Sequence, residues 1–152
     1  MDVPHGLTRA AASMSAVSEF RLRNQLAELR RLGERVQEFA EANHLPQTIT
    51  QAIDLSLVEW VTNIISYGHT DSLEHWIDVR LVIANGEVRL EVSDDGCEFN
   101  PLSHPPVDTS APLETRPIGG LGIHMMRKLM DRVEYRRERG RNVVTMVKGV
   151  GK

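Results

Sequence analysis

The strongest constraint on the fold is a hairpin pattern in the middle of the chain. Apolar and polar residues alternate from 76 to 83 and again from 87 to 92. Asn85-Gly86 stands between the two runs, and this dipeptide is the strongest short signal for a two-residue hairpin turn. Strand alternation places on one face the apolar side chains Ile77, Val79, Leu81, Ile83, Val88, Leu90 and Val92. A hairpin with one apolar face has to bury that face against a second layer of structure.

Helices supply the second layer. Residues 25–43 and 48–67 carry apolar side chains at helical spacing, with charged and polar side chains between them. Thr48 and Thr50 are the predicted caps of the second helix. The other predicted elements are strands at 17–23, 132–138 and 142–149, a long loop at 97–118, and a helix at 122–131. This order predicts an α+β fold, a two-layer sandwich whose mostly antiparallel mixed sheet carries its helices on one face.

Composition narrows the class of protein without indicating a function. The 152 residues are enough for one domain with its own core, which we predict at 15–150 after a disordered tail at 1–14. The formal net charge of −3 gives no general attraction to nucleic acid or anionic membranes. Cys97 is the only cysteine, which excludes an internal disulfide and favours a cytoplasmic location. No apolar run approaches the roughly 18 residues that a membrane span needs.

The second predicted helix has an unusual polar face. Glu59 and Asn63 lie four residues apart and therefore share that face, and their neighbours on it are small: Ala52, Ser56 and Ser66. A solvated face usually carries Lys, Arg and several Glu, whereas small neighbours leave room for a ligand to lie on the helix. An ordinary polar outer face is the alternative for this feature taken alone.

A carboxylate interrupts the inward face of the return strand. The phase of the apolar residues from 88 to 92 points Asp94 toward the core, where a charge is unfavourable unless a partner satisfies it. Gly96 follows two residues later and allows backbone or a ligand to approach closely. The alternative is that the strand ends at Val92 and that residues 94–96 form only a turn.

Glycines open the last predicted helix. Gly119-Gly120-Leu121-Gly122 precedes a helical pattern, and the start of a helix presents unpaired N–H groups and a positive dipole end to an anion. No Gly-Lys-Ser/Thr follows, so the segment is not a Walker-type phosphate loop. It also does not follow a strand directly, as a dinucleotide-binding loop does. Glycines in an ordinary turn are the alternative.

Together and in this order, the three features resemble the motifs of the GHKL superfamily, whose ATP-binding domain is the Bergerat fold. The matching motifs are an N box and two glycine boxes, at Glu59-x-x-x-Asn63, Asp94-Asp95-Gly96 and Gly120-Leu121-Gly122. Within the superfamily, the chain is most similar to the small bacterial anti-sigma-factor serine/threonine kinases. The resemblance runs from about residue 15 to residue 149.

The resemblance implies a role for each motif residue. Asn63 would bind Mg²⁺, which prefers oxygen ligands and keeps several waters. Asp94 would accept a hydrogen bond from the adenine amino group of ATP, and Glu59 would act as the general base. Residues 100–118 would form a lid over the ATP. The other implied cofactor contacts are Gly96 beside the purine, Gly119, Gly120, Leu121 and Gly122 around the phosphates, and Thr145 behind the adenine.

Two positions depart from the family pattern. Glu98 stands where the wider superfamily often has a second glycine in the first box, and Tyr67 stands where a histidine commonly follows the N box. The six histidines show no ligand spacing for zinc. We predict that they are scattered surface or turn residues.

The resemblance implies an anti-sigma-factor kinase that binds Mg-ATP, binds a sigma factor, and phosphorylates a Ser or Thr of a STAS-type anti-anti-sigma factor. It also implies a homodimer, for which the predicted edge strand with Phe20 and Leu22 is a candidate surface. We predict no direct binding to nucleic acid or membrane. The alternative is an ATP/ADP-binding regulatory module that switches protein partners without phosphoryl transfer. A structural α+β domain with chance motifs is the third interpretation.

Overall fold

A computed structural model describes residues 14–69, 71, 73–103 and 120–150 of the chain. In this part of the chain, strands and helices follow the predicted order. The strands are β1 (Met14–Arg23), β2 (Trp76–Ala84), β3 (Glu87–Asp94), β4 (Arg132–Glu138) and β5 (Arg141–Gly149). The helices are α1 (Leu29–Ala42), α2 (Gln47–Tyr67) and α3 (Gly120–Leu129), with 3₁₀ turns at Leu26–Glu28 and Pro101–Ser103.

The described strands form one sheet in the order β1-β2-β3-β5-β4, and each neighbouring pair is antiparallel. The Asn85-Gly86 turn joins β2 to β3 with φ angles of 54° and 75°, as the hairpin pattern predicts. The register sets Asp94, at the end of β3, opposite Ile77 of β2 and Asn142 of β5. The predicted α+β class with a largely antiparallel sheet is confirmed.

One apolar core joins the three helices to one face of the sheet. It contains the inward residues of β1, β2, β3 and β5 together with the apolar faces of α1, α2 and α3. Its fully buried members include Leu22, Leu57, Leu81, Leu90, Met126 and Met146. Each such side chain contributes roughly 1.5–3 kcal/mol by leaving water. Since α2 contacts both α3 and β3, this core fixes the two helices relative to the end of β3.

The predicted caps of α2 are wrong. The helix begins at Gln47 with Pro46 in the N-cap position, so Thr48 and Thr50 lie inside the helix. Thr50 Oγ1 donates a hydrogen bond back to the Pro46 carbonyl at 3.1 Å and does not cap a free N–H group. The helix starts before the threonines because Pro46, with φ −59° and ψ 148°, has the non-helical backbone of a cap residue.

The edge position predicted for the first strand is confirmed, since β1 pairs only with β2 among the described strands. Phe20 and Leu22 are buried within the chain's own core, so a second copy would meet the backbone edge of β1 and not these side chains. The predicted tail at 1–14 and the predicted lid at 100–118 lie mostly outside the described residues. Of the helices that are described, none combines the length and the apolar character that a membrane crossing requires.

Candidate functional site

A cavity of about 130 Å³ opens where the end of α2 meets the end of β3. Two predicted site residues, Asn63 and Asp94, lie in its wall. Other side chains of the wall include Trp60, Tyr67, Phe99 and Asn142. The fold therefore brings the amide of the polar helix face and the inward carboxylate into one site.

Asp94 is buried in the wall of this cavity, with 1% of its surface exposed. Its Oδ2 atom accepts hydrogen bonds from the Gly96 backbone N–H at 2.8 Å and from Asn142 Nδ2 at 3.3 Å. Its Oδ1 atom is also buried and has no hydrogen-bond partner within the described part of the chain. The carboxylate thus has one satisfied oxygen and one acceptor left for a ligand.

Burial raises the pKa of the Asp94 carboxyl above its ordinary value, and the hydrogen bonds from Gly96 and Asn142 partly offset this effect. The cause is loss of water, which disfavours the charged form. A buried acceptor without a partner costs about 1–3 kcal/mol of stability. A carboxylate with a perturbed pKa in a cleft indicates a functional site.

Asn142 organises the polar end of the cavity, and the sequence analysis missed it. It is buried on β5, and its Nδ2 donates to the Cys97 carbonyl at 2.9 Å as well as to Asp94. Its Oδ1 accepts hydrogen bonds from the Tyr135 hydroxyl at 2.7 Å and from the Phe99 N–H at 3.3 Å. One side chain therefore connects β3, β4, β5 and the segment after β3.

Thr145, the predicted adenine contact, is not among the described residues that line this cavity. It stands on β5 opposite Glu91 of β3 and Glu134 of β4. Because it is three residues from Asn142, strand alternation points its side chain to the other face of the sheet. Asn142, on the core face of β5, lines the cavity. Strand alternation could have identified Asn142, because this residue shares its face of β5 with the core residue Met146.

Gly96 is required by close packing of the backbone. A Cβ atom at this position would lie 2.5 Å from the Gly68 carbonyl oxygen and 2.8 Å from Asp94 Oδ2. The following residue, Cys97, donates its N–H to the same Gly68 oxygen at 2.9 Å. Gly96 therefore allows the loop after α2 to pack closely against the end of β3.

Asn63 and Glu59 lie one turn apart on α2, as predicted from their spacing. Asn63 Nδ2 donates to the Glu59 backbone carbonyl at 2.8 Å. The amide oxygen of Asn63 is therefore the atom left to bind a ligand. Glu59 is half-buried and is not among the described residues that line the cavity.

The glycine-rich segment begins a helix, as predicted. Gly120 is the first residue of α3, and Gly120–Gly122 belong to its first turn. The helix packs against α2 with Ile123 buried in the shared core. The N–H groups at its start therefore belong to a helix fixed against the one that carries Asn63. Gly119 lies outside the described residues.

Comparison with known proteins identifies a family and a shared fold. The histidine kinase-like ATPase domain matches residues 22–148. The structure is similar to the RsbU and RsbW domains of Rv1364c from Mycobacterium tuberculosis, with a TM-score of 0.65 and 16% identity over 89% of this chain. It is also similar to a chain of the SiaB–SiaC complex from Pseudomonas aeruginosa, with a TM-score of 0.51 and 11% identity over 97% of this chain and 99% of that one.

This chain spans only 32% of the length of the matched Mycobacterium tuberculosis chain, and identities this low show the fold alone. No curated protein matches the chain.

Proposed function

The chain belongs to the family of histidine kinase-like ATPase domains, and from that premise we propose that it is an anti-sigma-factor serine/threonine kinase. Membership of this family implies that the chain binds ATP. The proposal adds that residues 15–150 form a single ATP-binding domain and that Mg²⁺ accompanies the nucleotide. It also adds that the γ-phosphoryl group passes to a partner protein.

One observation carries the nucleotide site: Asp94 Oδ1 is buried in the cavity wall and has no hydrogen-bond partner among the described residues. The exocyclic amino group of adenine is a hydrogen-bond donor that matches this acceptor. Because Oδ2 is already held by Gly96 and Asn142, the carboxylate offers one acceptor in a fixed position. A purine with an oxygen in place of the amino group would set two acceptors against each other, so the residues present fit adenine.

Polar groups of α2 and α3 would hold the phosphate end of the nucleotide. The amide oxygen of Asn63 is the kind of ligand that Mg²⁺ takes, alongside waters and phosphate oxygens. The N–H groups at the start of α3 would hold phosphate oxygens, assisted by the positive end of the helix dipole. When bound, ATP supplies the γ-phosphoryl group and Mg²⁺ neutralises its charge.

Glu59 is the proposed general base. Its carboxylate would take the proton from a Ser or Thr hydroxyl of the partner while the hydroxyl oxygen bonds to the γ-phosphorus. The bond between that phosphorus and the bridging oxygen breaks, which leaves ADP and a phosphoprotein. Phosphoryl transfer depends mainly on positioning and charge neutralisation, so one carboxylate near Asn63 is enough.

The proposed acceptor is a STAS-type anti-anti-sigma factor, and the proposed target of inhibition is a sigma factor. Both partners rest on the resemblance of the motifs to those of anti-sigma-factor kinases. A chain of similar fold occurs in a complex between two proteins, SiaB and SiaC, which supports a protein partner here. A homodimer through the β1 edge and a cytoplasmic location belong to the same proposal.

The test combines nucleotide binding with phosphate transfer on the full chain. Calorimetry should detect binding of ATP with Mg²⁺, and ATP labelled at the γ-phosphate should label a STAS protein encoded in the same genome. Glu59→Gln should bind ATP like the unaltered chain and transfer no label. Binding without labelling of any STAS protein would refute the kinase, and no binding at millimolar ATP would refute the nucleotide site as well.

An ATP- or ADP-binding switch without phosphoryl transfer is the second candidate. The position of Glu59 favours it, because this carboxylate is not among the described residues at the cavity. Glu59 would then serve only to hold water near Mg²⁺. In that case ATP and ADP would give different affinities for the partner, and Glu59→Gln would leave both affinities unchanged.

A further inference from the structure

Two histidines and an aspartate lie together beside the cavity, and the proposed nucleotide site uses none of them. His69 follows α2, His75 precedes β2, and Asp95 follows β3. Asp95 Oδ1 lies 2.9 Å from His69 Nε2 and 3.4 Å from His75 Nδ1. The two imidazole rings are stacked with their centroids 3.5 Å apart. The prediction that the histidines are scattered is therefore wrong for this pair.

Hydrogen bonding orients the His75 ring. Its Nε2 lies 2.8 Å from Asp71 Oδ1, and donation of the N–H to that carboxylate leaves the lone pair of the neutral ring on Nδ1. This lone pair faces the Asp95 carboxylate at 3.4 Å. Two acceptors at that distance repel each other unless a positive charge joins them.

His69 offers the second ring nitrogen of the cluster. Its side chain is only 9% exposed, and its Nδ1 is buried without a hydrogen-bond partner among the described residues. A metal ion bound between the Asp95 carboxylate and the two rings would supply a positive charge and leave both rings neutral. Neutral imidazole is the form that binds metals.

We propose that His69, His75 and Asp95 form a binding site for a divalent transition-metal ion such as zinc. Imidazole nitrogens and a carboxylate oxygen are ligands that zinc takes. The three ligand atoms lie within 4.8 Å of one another, and ligands at about 2.1 Å from a tetrahedral ion are roughly 3.4 Å apart. Asp71 takes the position of the carboxylate that commonly orients a metal-binding histidine from behind.

Coordination requires the stacked rings to turn so that their lone pairs converge on the ion. The χ2 torsion of histidine has a broad distribution, which permits such a rotation. The side chain of Asp95 is 46% exposed, and the open side of the cluster gives access to the ion and to a water as fourth ligand. Mg²⁺ prefers an all-oxygen octahedral site, so this cluster selects a different ion from the one proposed at Asn63.

The ion would join two walls of the cavity. His69 directly follows Gly68, which accepts the backbone hydrogen bond of Cys97, and Asp95 directly follows Asp94. A metal held by His69 and Asp95 would therefore clamp the loop after α2 to the end of β3. Because only the folded chain brings the ligands together, the ion should also stabilise the fold by mass action.

The experiment titrates the full chain, without an affinity tag and without nucleotide, with Zn²⁺ and separately with Co²⁺ at neutral pH. Calorimetry should show one zinc ion per chain, and Co²⁺ should produce the visible absorption bands of a tetrahedral site. Asp71→Asn keeps all three ligands and should lower zinc affinity about 10- to 100-fold. His75→Gln and Asp95→Asn should lower it at least as much.

The matched control is His44→Asn. His44 is an exposed histidine after α1 with a φ angle of 54°, a backbone conformation that asparagine tolerates, and its replacement should leave zinc binding unchanged. An unaltered chain that takes up neither ion would overturn the proposal on its own, whatever the variants do. A loss in His44→Asn as large as in His75→Gln would also overturn it, because it would indicate general binding by surface histidines. Circular dichroism of each variant checks that it is folded.

Discussion

Replacing Asp94 with asparagine tests the nucleotide site at a single atom. The Gly96 N–H and Asn142 Nδ2 both donate to Asp94 Oδ2. An asparagine has to keep its carbonyl oxygen in that place to accept the same two hydrogen bonds. Its NH₂ group then lies where the unpaired Oδ1 lies in the unaltered chain. Asp94→Asn thus converts the free acceptor of the cavity into a donor, with almost no change in shape.

The adenine amino group would lose a hydrogen bond to a charged acceptor and would face a second donor. Hydrogen bonds to charged groups are worth about 1.5–3 kcal/mol, which corresponds to roughly 10- to 150-fold in affinity. ATP affinity should fall by this factor. Inosine triphosphate, whose base carries a carbonyl oxygen in place of the amino group, should not suffer the same loss. The variant should therefore prefer inosine triphosphate to ATP, the reverse of the unaltered chain.

Calorimetric titration of both proteins with both nucleotides, each with Mg²⁺, measures the four affinities. Thermal unfolding without nucleotide separates an effect on binding from one on folding. Burial raises the pKa of Asp94 in the folded chain, so folding disfavours the ionised form, and stability falls as the pH rises above the ordinary value of 3.8. The neutral amide avoids this penalty, so at neutral pH Asp94→Asn should unfold at the same temperature or a higher one.

The control is Asp95→Asn, which removes the neighbouring carboxylate, a residue that is not in the described cavity wall. This variant should keep the preference for ATP over inosine triphosphate. An equal loss of affinity for both nucleotides in Asp94→Asn, or an unchanged affinity for ATP, would refute the assignment of Oδ1 as the adenine acceptor.

Further predictions concern the surroundings of Asp94. Gly96→Ala should lower the free energy of unfolding by about 1–3 kcal/mol, because the new Cβ overlaps the Gly68 carbonyl; an unchanged urea midpoint would contradict this. ATP affinity of the unaltered chain should fall as the pH falls through the raised pKa of Asp94, since a protonated carboxyl presents a donor. Asn142→Ala removes a donor to the carboxylate and should move this fall in affinity to higher pH, and a pH profile that does not move would count against the role of Asn142.

Local sequence patterns predicted most of the fold because apolar residues recur at a different spacing in strands and in helices. Alternation over 76–92 and the Asn85-Gly86 dipeptide specified the hairpin without knowledge of any other strand. The inward position of Asp94 followed in the same way, since strand phase alone decides which face a residue occupies. The helical spacing of Glu59 and Asn63 likewise needed no tertiary information.

The contribution of β5 could not be predicted in this way. Residues 142–147 are buried throughout, so apolar side chains occupy both phases of the strand and the alternation disappears. The adenine contact was therefore assigned by resemblance to Thr145. The pairing of β5 with β3 sets Asn142 opposite Asp94, and this register is a property of the sheet that neither strand shows alone.

The histidine cluster could not be predicted from the sequence for a related reason. Ligand motifs describe residues within one segment, whereas His69 and His75 lie on the connection between α2 and β2 and Asp95 lies after β3. Their contact depends on how the loop after α2 packs against the end of β3, where Gly96 permits the approach of Gly68. Tertiary packing of this kind leaves no periodic signal in the sequence.

The unpaired oxygen of Asp94 is stronger evidence for a bound ligand than the sequence motif that contains Asp94. Other buried polar atoms in the described chain also lack partners. Asp54, Ser56 and His69 lie outside the cavity wall, whereas Trp60, whose Nε1 lacks a partner, belongs to it. Asp94 differs because two donors are close at hand and both bind its other oxygen. A carboxylate buried only for packing would gain stability by sharing those donors between its oxygens. Keeping one oxygen free at a cavity lowers the stability of the protein alone, and a donor from a bound molecule offsets that loss.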